Sequence, residues 1–128
     1  MRNDYEEILG LIRRVKADLY DQLDDAPLAR KERIKAANDY LQGAMNEASE
    51  GRYKEALRMF RQLQAVLEEA NLLPEEWAEL YVVQAICHAR LGQKREQDIA
   101  WKQAKALEPD NKVLLQIAIR RGLVKDKS

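Results

Sequence analysis

Threonine is absent from the 128 residues, cysteine and histidine occur once each, and proline occurs only at 27, 74 and 109. With Cys87 alone no intrachain disulfide can form, so cohesion must come from a packed core, and a reducing compartment suits the thiol. A hydrolytic triad needs a nucleophile, a base and an orienting group, and His88 with two serines, Ser49 and Ser128, offers little for one. No apolar run is long enough to span a bilayer, and Met1 to Glu7 lacks the apolar stretch of a secretory signal. These absences lead us to expect a soluble, cytoplasmic protein without membrane insertion.

Charge of one sign is also missing. Twenty-two basic residues balance twenty-two acidic ones, so no long-range field gathers nucleic acid or anionic lipid. The signs alternate as on solvated helix faces, and only Arg120, Arg121, Lys125 and Lys127 form a basic tail.

Ala, Leu, Glu, Lys, Arg and Gln dominate, which favours helix. The chain fits one domain, 1–128, of all-α class. Tyr5, Ile8, Leu9, Ile12, Val15, Leu19 and Leu23 recur at helical spacing, predicting an N-terminal amphipathic helix over 4–25. Pro27 then opens a second helix that runs to Glu50 and stops at Gly51. A third carries Tyr53, Ala56, Leu57, Phe60, Leu63, Val66 and Leu67 and closes a long hairpin over 27–70. Pro74 opens a fourth that ends at Gly92, and a fifth reaches Leu107, making a second hairpin over 75–107. A capping helix, with Val113, Leu114, Ile117, Ala118 and Leu123, fills 110–124.

The strongest internal signal is a repeat. Ala37, Tyr40, Ala44, Ala48 and Gly51 recur as Ala78, Tyr81, Ala85, Ala89 and Gly92, a period of 41 residues, and Phe60 returns as Trp101 in the same register. With Ala56 four residues before Phe60, and with Ala104 and Pro109 after Trp101, the pattern over residues 37 to 111 resembles the tetratricopeptide repeat. That resemblance implies two degenerate repeats, about 37–70 and 78–111, in a short right-handed helical-repeat solenoid of about six antiparallel helices. In it Tyr40, Ala44, Gly51, Ala56, Phe60, Tyr81, Ala85, Gly92, Trp101, Ala104 and Pro109 are packing residues. Gly43, Gln84, Gln97 and Glu68 depart from the family's pattern. The first copy is also longer than usual, the excess falls between Phe60 and Ala78, and it is expected to lengthen the third helix by about two turns.

Sites for chemistry are weak by comparison. Cys87 and His88 are neighbours on a helix, so their side chains diverge, and packing roles suit both better than catalysis. The pairs Glu6-Glu7, Asp24-Asp25, Glu68-Glu69 and Glu75-Glu76 have no histidine one turn away and read as solvated faces and helix starts. No glycine-rich phosphate loop is present. No catalytic residue, metal ligand or cofactor is therefore expected, and the chain is not expected to be an enzyme. Arg30, Lys31, Arg33 and Lys35, with Arg52, Lys54, Arg58 and Arg61, are the best nucleic-acid candidates, but acidic neighbours dilute them and make this partner disfavoured.

What the resemblance implies is a protein–protein interaction module, an adaptor or chaperone-like protein whose repeats line a concave groove. Counting from Ala37 and Ala78, the groove would present Asn38, Leu41, Gln42, Met45 and Ser49, then Glu79, Val82, Val83, Ile86 and Arg90, with Gln116 and Arg120 from the cap. The paired lysine, asparagine and arginine residues with which chaperone-binding members clamp a terminal carboxylate are largely missing. Leu41, Met45, Val82 and Ile86 instead form an apolar strip suited to another polypeptide, an amphipathic helix or an extended hydrophobic segment. A homodimer or self-assembling scaffold and an RNA-associated regulator are the alternatives. The first helix either stacks on the second, folds over the groove, or exchanges between two copies.

Overall fold

Four helices end at a residue in left-handed backbone, Asp24, Gly51, Asn71 or Gly92. A computed structural model describes residues 4–71 and 78–120, and among these it contains six helices and no strand. They are α1 (Asp4–Gln22), α2 (Ala26–Ser49), α3 (Tyr53–Glu69), α4 (Ala78–Arg90), α5 (Lys94–Leu107) and α6 (Asn111–Arg120). The expected openings of the fourth helix at Pro74 and the end of the sixth beyond Arg120 lie outside the described residues.

The α2–α3 and α4–α5 turns share one construction. Gly51 (φ 81°) and Gly92 (φ 73°) each follow a helix in left-handed conformation. Around Gly51, Arg52 N donates to Glu47 O (2.9 Å) and Gly51 N to Ala48 O (3.0 Å). Around Gly92 the pairs are Gln93 N to His88 O (2.8 Å) and Gly92 N to Ala89 O (3.1 Å). Both are Schellman turns, which satisfy the last carbonyls of the helix before them. Asp24 (φ 57°) closes α1 in the same way, with Asp25 N donating to Tyr20 O (2.9 Å). Asp25 then caps α2 by accepting from Leu28 N (3.2 Å), with Pro27 in the first turn.

Two apolar clusters form the interior. The larger joins α2, α3 and α4 through Tyr40, Ala44, Ala56, Met59, Phe60, Leu63, Val66, Leu80 and Val83. The smaller joins α4, α5 and α6 through Val82, Ala104, Leu114, Ile117 and Ala118, with Trp101 and Tyr81 half-buried beside them. Ile86 packs against both clusters. Of the packing residues expected from the repeat, Tyr40, Ala44, Ala56, Phe60, Ala85 and Ala104 are buried, whereas Pro109 is exposed.

One expectation about length needs correction. α3 has 17 residues against 14 for α5, so it is less than one turn longer, not two. Ala70 and Asn71, the latter with φ 52°, end it before the extra residues can extend the helix. Positions 72–77, which hold most of the remaining excess, lie outside the described residues.

Candidate interaction surface

α1 is attached to the rest of the chain by its small and charged side. Among its described residues only Gly10 and Ala17 are buried, and they lie seven residues apart on the face turned to α2. Arg13 pairs with Asp39 at 2.5 Å and Lys16 with Glu32 at 3.6 Å, both across to α2. Asp18 and Asp21 converge on the nearly buried Arg33 of α2 at 3.0 and 2.6 Å. Arg14 reaches Glu69, and Glu7 reaches Arg58 and Gln62, on α3. The Arg33 guanidinium is held above its ordinary pKa by its hydrogen bond to Asp21, with burial opposing and Asp18 adding to the effect.

Directly opposite Gly10 and Ala17 runs the apolar stripe. Tyr5, Ile8, Leu11, Ile12, Val15, Leu19 and Leu23 are each 53% to 74% exposed. Tyr5, Ile8, Ile12, Val15 and Leu19 follow spacings of three, four, three and four, the seam of a two-helix coiled coil. α1 thus stacks on α2, as one of the three expected placements had it, but with its amphipathic faces the other way round. An apolar stripe facing the core is the usual arrangement. Here α1 is held instead by close approach at Gly10 and by six ion-paired side chains.

The groove expected from the repeat is less open than the sequence implies. Val82 and Val83 are fully buried, one in each cluster, so the strip that was to include Val82 is broken. The reason is the crowding of α4, seven of whose 13 residues are buried between α3, α5 and α6. Leu41, Met45 and Ile86 keep part of their surface, while Asn38, Gln42, Ser49, Arg90, Gln116 and Arg120 are exposed and Glu79 is half-buried. Gln42 donates to Asn46 Oδ1 at 3.0 Å and Ser49 Oγ to the Asn46 carbonyl at 2.8 Å, both within α2. An open cleft of about 390 Å³ lies beside Ile86 and Trp101, flanked by Ala85, Ala89, Lys94, Gln97 and Asp98.

The groups with chemical potential are tied down. Cys87 is buried, and burial pushes its thiol up to about 12. His88 Nδ1 sits 2.8 Å from the side-chain oxygen of Gln93. Among the described residues no group of three or more His, Cys, Asp or Glu side chains could hold a metal ion. Of the candidate nucleic-acid cations, Arg33 turns inward, Lys35 lies 3.7 Å from Glu32, Arg52 pairs with Glu47 and Glu50, and Arg58 pairs with Glu7 and Glu55. Among the described residues no helix is long and apolar enough to cross a membrane.

Fold and surface together define an all-helical protein with an unpartnered apolar helix face. No family model matches the chain, and no curated protein or solved structure compared with it does either.

Proposed function

We propose that this chain is a cytoplasmic protein–protein interaction module that binds a helical partner along the exposed stripe of α1. One observation carries the reading: six large apolar side chains of α1, Tyr5 to Leu19, with Leu23 just past its end, stand open on a helix whose charged side is spent on internal ion pairs. On a monomer an apolar patch of several hundred Å² is more often functional than incidental. Its coiled-coil spacing specifies a helix as the complement. The 41-residue recurrence and its paired glycine turns support a tetratricopeptide-like scaffold behind the stripe, with no catalytic role for the buried, high-pKa Cys87.

A second reading places the bound segment along α2 and α4. It is favoured by the partial exposure of Leu41, Met45 and Ile86 and by the cleft beside Trp101. Affinity capture from the source organism separates the two. Under the α1 reading, Ile12→Glu with Val15→Glu abolishes capture and Met45→Glu with Ile86→Glu leaves it intact. The reverse pattern moves the site to the groove, and capture unaffected by either pair sinks both readings.

A further inference from the structure

We infer that the occupant of the α1 stripe is a second copy of the same chain, the two α1 helices pairing face to face as a short two-helix coiled coil. The inference rests on the reading of α1 as the interaction surface and names its partner.

Three features of the stripe select a copy of itself. The first is shape. A seam with alternating three- and four-residue spacing fits a helix that carries the same spacing, and Tyr5, Ile8, Ile12, Val15 and Leu19 supply that seam from either copy over five successive positions. An isologous pair needs one self-complementary patch only. The second is area. The seven side chains expose on the order of 700 Å² of apolar surface per copy, so pairing removes at most about 1,400 Å², a ceiling that reaches the range of stable protein interfaces, about 1,200–2,000 Å².

The third is charge. Lys16 and Asp18, which flank the five-residue seam, already face Glu32 and Arg33 of their own chain, and Leu9 and Leu11 flank it as neutral residues. Among the described residues, bringing two identical seams together therefore confronts no unpaired like charges, and the chain's formal net charge of zero adds no long-range repulsion. In each copy α1 packs on α2 through the face of Gly10 and Ala17, opposite the seam, so its own chain does not cover the seam.

Light scattering across a concentration series tests this on the full chain. The wild-type protein should show the mass of two chains at high concentration. Ile12→Glu with Val15→Glu should show one, with unchanged far-ultraviolet circular dichroism because both side chains are exposed. Should that pair of substitutions perturb folding, Ile8→Gln with Leu19→Gln weakens the same seam more gently and should raise the dimer dissociation constant at least tenfold. A wild-type chain that stays monomeric throughout overturns the inference, and so does a dimer that tolerates both variants. The two levels fail differently. A monomer that still captures a partner through Ile12 and Val15 removes the second copy and keeps the interaction surface, whereas a monomer that captures nothing removes both.

Discussion

Gly10 faces the ring of Tyr40 across the α1–α2 interface, and a Cβ at Gly10 would lie 2.9 Å from the ring's Cε1 and Cζ. Tyr40 is fully buried in the main cluster and has nowhere to swing. Gly10→Ala gains about 1 kcal/mol of helix propensity, but overpacking a core costs about 1–3 kcal/mol. We expect a net loss of about 1 kcal/mol in urea denaturation. Gly43→Ala should cost less, because the atoms a Cβ would meet first belong to the end of the flexible Met59 side chain.

Tyr40 also governs behaviour in alkali. Its hydroxyl is buried beside Arg14 and makes no hydrogen bond of ordinary geometry among the described residues. Burial holds its pKa above the ordinary value of 10, with nearby Arg14 opposing. A proton held more tightly in the folded state gives stability that is complete below pH 10. That stability declines as pH rises from 10 through the higher folded value. Tyr40→Phe should flatten this alkaline decline in thermal denaturation and, by removing an unsatisfied polar atom, leave stability at neutral pH unchanged or raised by up to about 1 kcal/mol.

At Gly51 nothing lies within 4 Å of an added Cβ, so only the backbone matters. With φ at 81°, a β-branched residue is strained. Gly51→Val should cost about 2 kcal/mol by chemical denaturation, and Gly51→Asn much less.

Cys87 should behave as a core residue. With its thiol raised to about 12, thiolate is scarce at neutral pH, and its side chain is fully buried. A thiol-specific chromophoric reagent should label the native protein at least a hundredfold more slowly than the urea-unfolded chain. Rapid labelling of the folded protein would contradict this burial.

How much of this was legible in the sequence differs from helix to helix. Pro27, Gly51 and Gly92 announced their boundaries because each has a backbone preference that no tertiary contact overrides. The stripe on α1 was equally legible, but periodicity says which side of a helix is apolar and not what covers it. The signal for the reversed orientation was Gly10 and Ala17, small residues seven apart and opposite the stripe, beside Arg13 and Arg14. The groove was misread at Val82 and Val83 because α4 is apolar on most sides, and a helix of that kind is interior. The long run from Leu80 to Cys87, broken only by Gln84, carried that information.

The ion pairs beneath α1 and the apolar stripe above it respond oppositely to ionic strength. At 1 M sodium chloride the Debye length shrinks to about 3 Å, which weakens part-exposed pairs such as Glu7 with Arg58. Sulfate, excluded from protein surfaces, strengthens apolar burial instead. A sulfate salt therefore acts on the two sides of α1 in opposite senses, loosening its grip on its own chain while favouring burial of the exposed stripe.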